Sequence, residues 1–179
     1  MDGTKEYFRN IPLYNVSIAL EREGELIAAA VCRPAEDVVY SAGKGLGSYR
    51  NGEKISVSTE KELKKSFVYC YLPPYNNDSE AYDNNWNKLR DLGKVFYRVR
   101  VMADANSSLC WLAQGGCEAY CNFIKQPWYD IASGIIIAKE AGAFVKDIEG
   151  NKLGENNFKS LIAANSEETY KKIVALLGR

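Results

Sequence analysis

Over its first sixty residues the chain alternates in side-chain character at every second position, and beyond them it does not. In Tyr14-Asn15-Val16-Ser17-Ile18-Ala19-Leu20, the apolar Tyr14, Val16, Ile18 and Leu20 share one face, and Asn15, Ser17 and Ala19 share the other. A period of two belongs to a half-buried strand. Residues 26–32 and 38–41 read as two further strands on either side of Arg33-Pro34-Ala35-Glu36. Asn51-Gly52 then separates Ser48-Tyr49-Arg50 from Lys54-Ile55-Ser56-Val57-Ser58. That pair is a strong hairpin signal, because a type I′ turn needs positive φ at both central positions. Gly43-Lys44-Gly45-Leu46-Gly47-Ser48 lacks the spacing of a nucleotide-binding loop and leads into this hairpin, so it reads as a turn. The expectation is a run of antiparallel strands.

Past the charged residues 60–65 the pattern becomes strands alternating with helices, which argues for a mixed sheet. Residues 66–72 read as a strand stopped by Pro73-Pro74. Ser79 can cap a helix that presents Tyr82, Trp86 and Leu89 to the core and ends at Gly93. Strands are expected over 95–101, 117–123, 143–148 and 160–164, and helices over 105–114, 130–141 and 166–177. The fold class is therefore α/β (α+β): an antiparallel N-terminal sheet in residues 1–64, then an α/β half in residues 65–179.

Composition narrows the chemistry. Lys and Arg number 23 against 23 Asp and Glu, so nothing favours a nucleic-acid or polybasic membrane partner. No stretch reaches the roughly 18 apolar residues of a membrane helix, and no basic-then-apolar leader is seen, which points to the cytoplasm. Five cysteines and no histidine argue against a closed disulfide framework and against structural zinc, and for buried thiols. Without histidine there is no Ser-His-Asp triad or Cys-His pair. Hydrolysis would rest on carboxylates or a metal-activated water.

Two carboxylates stand out. Asp2-Gly3-Thr4 is by itself a turn sequence, and Asp130 by itself is an ordinary candidate N-cap. The helix after Asp130 is less ordinary: Ala132-Ser133-Gly134 are small, and Ile135-Ile136-Ile137-Ala138 is apolar all round, so it is buried on most faces and admits a close neighbour at its first turn.

Asp2-Gly3-Thr4-Lys5-Glu6, followed by Tyr7, Arg9 and the strand at Ser17-Ile18-Ala19-Leu20, resembles the later half of the first signature of the inositol monophosphatase family, Asp-Pro-apolar-Asp-Gly-Thr. Trp128-Tyr129-Asp130-Ile131-Ala132-Ser133-Gly134, continuing to Glu140-Ala141-Gly142-Ala143, resembles its second signature. The resemblance spans nearly all 179 residues and implies the later two-thirds of a family member, without its N-terminal lobe. It implies a layered sugar-phosphatase-like fold, a Mg²⁺ cofactor and a cytoplasmic homodimer acting on a small phosphorylated metabolite. Asp2, Asp130 and the Met1 carbonyl would be metal ligands, Gly3 and Thr4 would receive phosphate, and Asp2 and Thr4 would act in catalysis, with Thr4 orienting the attacking water. Where the family has Gly-Ser-x-Ala beside the substrate, this chain has Ala103, Asp104 and Ala105. Asn122 stands where inositol-type members have a carboxylate, and it also reads as a satisfied strand-end amide.

The implied function is a Mg²⁺-dependent phosphomonoesterase for an inositol monophosphate-like substrate. Two alternatives stay open: a 3′(2′),5′-bisphosphate nucleotidase of the same superfamily, and a truncated, non-catalytic module that binds phosphate or a partner. With part of the ligand set upstream, the 179-residue chain is expected to be nearly inactive alone. Asp2 and Asp130 are expected within about 7 Å of each other, the reach of ligands sharing or bridging ions. Tyr14, Val16, Ile18 and Leu20 are expected to form a bare apolar face.

Overall fold

In the computed structural model, which describes residues 1–72, 75, 78–157 and 159–178, the alternating segment forms one antiparallel meander. After a short helix, α1 (Thr4–Phe8), come β1 (Val16–Arg22), β2 (Glu25–Arg33), β3 (Val38–Gly43), β4 (Gly47–Arg50) and β5 (Glu53–Ile55), paired in chain order. Asn51 and Gly52 have φ of 48° and 82°, as the type I′ turn requires. The last strand stops at Ile55, earlier than its sequence suggests. The chain there leaves the sheet, and the Val57 N–H donates to the Ala141 carbonyl at 3.1 Å.

The second half gives β6 (Phe67–Tyr71), α2 (Ser79–Val95), β7 (Arg98–Val101), α3 (Ala105–Ala113), β8 (Ala119–Asn122), α4 (Ala132–Glu140), β9 (Phe144–Lys146), β10 (Leu161–Ala164) and α5 (Glu167–Leu177). The sheet order is β7-β6-β8-β10-β9. β6 runs parallel to β7 and β8, while β10 runs antiparallel to β8 and β9, so the sheet is mixed as expected.

Helices α3 and α4 lie between the two sheets. Their Cys110, Ala113, Ile136 and Ile137 pack under Ala29, Val31, Tyr40 and Ala42 of the first sheet. Leu109, Leu112 and Ile135 pack on Tyr120, Leu161 and Ala163 of the second. Helices α2 and α5 cover its other side through Leu89, Leu92 and Ile173. Each fully buried Leu or Ile is worth about 1.5–3 kcal/mol. The expected apolarity of α4 is thus explained: both its long faces meet a sheet. Gly134 sets the spacing, since a Cβ there would stand 2.7 Å from Leu109 Cδ1 and 3.1 Å from Asn106 Oδ1. Small side chains at Ala19, Ala29 and Ala42 let α4 approach the first sheet. The larger residues of β1 point away, leaving Val16, Ile18 and Leu20 exposed by 51%, 71% and 58%.

Two expectations change. Trp86 is 47% exposed, not core: α2 buries Asn85, Leu89 and Leu92, one row round the helix, and Trp86 rests edge-on against Tyr82 at 6.2 Å. The cap of α2 is Asp78, whose carboxylate accepts the Ala81 N–H at 3.0 Å, one residue before Ser79; the helix runs through Gly93 to Val95. The expected stop at Pro73-Pro74 lies outside the described residues. All five cysteines are free and Cys70, Cys110, Cys117 and Cys121 are buried, where desolvation pushes the thiols of Cys70, Cys110 and Cys117 up. Among the described residues no helix is long and apolar enough to cross a membrane.

Candidate active site

β6 is flanked by parallel neighbours on both sides, reached through α2 on one side and α3 on the other. A crevice opens at the carboxyl ends of strands where connections diverge in this way. Tyr71 ends β6, and Met102-Ala103-Asp104 follow the end of β7. The segment that begins Met1-Asp2-Gly3-Thr4 faces them, and together they line a cavity of about 570 Å³.

Asp2 is held by its backbone. Its N–H donates to the Asn15 carbonyl at 2.9 Å, and its own carbonyl accepts the Asn15 N–H at 3.1 Å, a single antiparallel bridge at the entry to β1. Gly3 has φ +80°, and a Cβ there would lie 2.5 Å from the Leu13 carbonyl oxygen and 2.8 Å from Tyr14 Cα. Only glycine fits, for conformation and for space. The Gly3 N–H donates to Asp2 Oδ1 at 2.8 Å, and the Gly3 carbonyl accepts the Tyr7 N–H at 2.9 Å, which starts α1 at Thr4. The Tyr7 ring stands edge-on to Tyr14 at 5.0 Å and fixes this turn on the sheet.

Asp104 is the N-cap of α3. Its carboxylate accepts the Ser107 N–H at 2.9 Å and the Ser107 hydroxyl, and its carbonyl accepts Ser108 Oγ at 2.7 Å. It is 5% exposed. Asp130 closes a 3-10 turn, Trp128–Asp130, and does not cap α4: that position belongs to Ile131, without a side-chain bond. The turn is tied to β1 by Trp128 Nε1, which donates to Glu21 Oε2 at 2.7 Å.

The carboxylates act on one another. Burial pushes the Asp2 carboxyl from its ordinary 3.8 up to about 7, helped by the charge of Asp104 and, more weakly, Asp130, against the pull of the Gly3 N–H. Asp130 is raised by burial and by Asp104, against the Met1 amino group. The Tyr71 phenol is raised by burial and by Asp2, with a further push from Asp130 and an opposing hydrogen bond to Gln126. Asp2, Tyr71, Asp104 and Asp130 therefore share one electrostatic environment, rich in negative charge.

The residues singled out from the sequence fall into two groups. Met1, Asp2, Gly3 and Thr4 line the cavity. Asp130 is not one of its walls but reaches Asp2 through its charge. Ala105 is buried in the first turn of α3 at 1% exposure. Asn122 is buried at the end of β8, where its Nδ2 donates to Gln126 Oε1 at 2.7 Å and its Oδ1 accepts the Ile124 N–H at 3.0 Å. Two contributors were missed. Tyr71 looked like any strand residue, and Asp104 read only as a departure from Gly-Ser; the Asp-x-x-Ser cap spacing at 104–107 was the available signal.

A hard dication suits this donor set. Asp2 lies half-buried among like charges with one N–H to offset them, and both side-chain polar atoms of its bridge partner Asn15 are buried without a hydrogen-bond partner. Such orphaned groups mark a place for water or an ion. Among the described residues no three His, Cys, Asp or Glu side chains are spaced to hold a metal. Asp2 and Asp130 would supply two oxygens, and water or phosphate the rest.

The sequence profile of the inositol monophosphatase family matches residues 1–179. An inositol-1-monophosphatase of Mesorhizobium japonicum is 31% identical over 152 residues, covering 85% of this chain and 56% of that protein. A fructose-1,6-bisphosphatase/inositol-1-monophosphatase of Aquifex aeolicus is 34% identical over 169 residues, 92% of this chain and 60% of that protein. The chain thus spans less than two-thirds of the length of these relatives. The crystal structure of the extragenic suppressor protein suhB from Bartonella henselae superposes with a TM-score of 0.89 at 27% identity, covering 99% of this chain and 66% of that one. With both sheets, the helix pair between them and the Asp2 crevice in place, this chain belongs to the inositol monophosphatase family.

Proposed function

We propose that the chain carries the phosphate-binding part of a Mg²⁺-dependent phosphomonoesterase site for a small phosphorylated metabolite, inositol monophosphate-like in class. The observation that carries this reading is that the carboxyl pKa of Asp2, which lines the cavity with Gly3 and Thr4, is raised by the charge of Asp130 outside it. Asp2 and Asp130, with the Met1 carbonyl, would hold the ion. When bound, a Mg²⁺ ion lowers the pKa of a coordinated water and stabilises charge on the transferring phosphate. With the Gly3 N–H already on Asp2 Oδ1, the Thr4 N–H at the start of α1 would donate to phosphate oxygens, and the exposed Thr4 hydroxyl would orient a water. Asp104 keeps α3 in register beside them, and the Tyr71 phenol can donate to a substrate oxygen. Ala105, next to Asp104, and Asn122, in register with Tyr71, are buried beside the cavity wall and would meet the substrate from there. Residues 1–64 would then bring Asp2, and residues 65–179 Asp104 and Asp130, as two units meeting at the crevice.

The test is phosphate release from a panel of monoesters and nucleotide 3′,5′-bisphosphates, with Mg²⁺ and with chelator, by wild type and Asp130→Asn. Mg²⁺-dependent turnover, slow in this chain and lost in Asp130→Asn, supports the reading, and the preferred substrate separates the monoesterase from the nucleotidase. Turnover that ignores chelator refutes it. Saturable phosphate binding without turnover would leave the non-catalytic module.

A further inference from the structure

A second cavity, of about 250 Å³, lies at the other end of α4 and shares no wall residue with the Asp2 crevice. It is lined by the β1–β2 turn at Gly24 and Glu25, the β3–β4 turn at Lys44, and Lys139, Glu140 and Lys152. Both of its carboxylates are already engaged. Glu25 is paired with Lys44 at 2.6 Å, and Glu140 accepts the N–H groups of Gly45 and Gly47 at 2.9 and 3.1 Å. Among the described residues the ammonium groups of Lys139 and Lys152 make no hydrogen bond or close ion pair, although the Lys152 charge also acts on Glu25.

We propose that this cavity is a binding site for a compact oxyanion of the phosphate class, held by the Lys139 and Lys152 ammonium groups with the Lys44–Glu25 pair at its rim. The proposal is independent of the function assigned to the Asp2 crevice.

Three observations support it. Lys139 is half-buried, and its pKa is lowered by desolvation and by the charges of Lys152 and Lys146. Like charges gathered around a desolvated ammonium are unfavourable unless an anion joins them. Lysines near a helix C-terminus often merely offset its dipole. Here, however, the final carbonyls of α4 are already occupied. Ile137 O accepts Ser48 Oγ at 2.5 Å, and the carbonyls of Ala138, Lys139 and Ala141 accept the N–H groups of Ala143, Gly142 and Val57 at 2.9, 3.0 and 3.1 Å. The cavity also falls below the roughly 300–1,000 Å³ typical of pockets for drug-sized ligands. That size favours phosphate itself or a small ester, with the Leu26 and Leu153 walls beside it for an apolar substituent.

The experiment is a titration of the full 179-residue chain with inorganic phosphate, and separately with phenyl phosphate, followed by amide ¹H–¹⁵N shifts in the presence of chelator. Saturable shifts are expected at Gly24, Lys44, Glu140 and Lys152. Tighter binding of the phenyl ester would identify an organic phosphate as the ligand, and equal binding the free anion. Lys139→Met, which keeps the aliphatic stem, should weaken binding at least about ten-fold, and the exposed Lys152→Gln about three-fold. If Lys139→Met fails to fold, Lys152→Gln carries the test alone. Shifts that do not saturate, that chloride reproduces, or that persist with unchanged affinity in the folded variants overturn the proposal.

Discussion

Replacing Asp2 by Asn should stabilise this chain at alkaline pH in the absence of metal. The folded-state pKa of Asp2 is raised from 3.8 to about 7, so the native state binds a proton more tightly than the unfolded chain. Stability is therefore full at acid pH, falls as the pH rises between about 4 and 7, and is flat above that range. A shift of this size corresponds to about 4 kcal/mol. The carboxylate is only partly buried, and solvent screening reduces the penalty to roughly 2 kcal/mol. Asparagine carries no charge, keeps an acceptor for the Gly3 N–H, and gains an N–H that can face Asp104. In chelator at pH 8, Asp2→Asn should melt about 4–8 °C above wild type, given a chain of this length. At pH 4.5 the gap should close to about 1–2 °C, because folded wild-type Asp2 is then protonated and only the unfolded carboxyl, at its ordinary 3.8, is still mostly ionised. Thermal melts followed by circular dichroism at both pH values decide the matter. A variant no more stable than wild type at pH 8, or equally stabilised at pH 4.5, would refute the claim that Asp2 is held among like charges.

Asp130→Asn should lower the Asp2 pKa, since Asp130 contributes to raising it, and carboxyl ¹³C shifts against pH read this directly. Gly134→Ala should cost about 1–3 kcal/mol by overpacking against Leu109 at 2.7 Å, despite alanine's higher helix propensity, as measured by urea denaturation. Gly3→Ala should cost at least about 2 kcal/mol, from the positive φ and the 2.5 Å approach to the Leu13 carbonyl, and it should also displace Asp2. The isolated chain should bind a hydrophobic dye through Val16, Ile18 and Leu20, and Ile18→Ser, at a position 71% exposed, should reduce the signal while changing stability by less than about 0.5 kcal/mol.

What the sequence disclosed was what short-range rules determine. Asn51-Gly52 and the alternation in β1 carry their geometry locally, and α4 announced its burial through Ile135-Ile136-Ile137-Ala138, because two sheets leave it no solvent face. Trp86 was misread because apolar spacing alone does not say which helical row meets the sheet; buried Asn85 occupies the row beside it. At the site, the Asp-Gly-Thr and Trp-Tyr-Asp segments were legible as motifs. The contribution of Asp104 and Tyr71 was not. Their proximity to Asp2 depends on two crossovers that bring the ends of β6 and β7 opposite the N-terminal segment, a long-range consequence of sheet order. The Lys139 cavity is hidden for the same reason, being assembled from two hairpin turns and the end of α4.

The central claim is that Asp2 and Asp130 serve one cation site. Mn²⁺, a paramagnetic stand-in for Mg²⁺, tests it by electron paramagnetic resonance titration and by the amide signals it broadens. Saturable binding should broaden the amides of Gly3, Tyr71 and Asp104, and either Asp2→Asn or Asp130→Asn should weaken it at least about ten-fold. Mn²⁺ binding that leaves those amides sharp, or that survives both substitutions unchanged, would contradict the account.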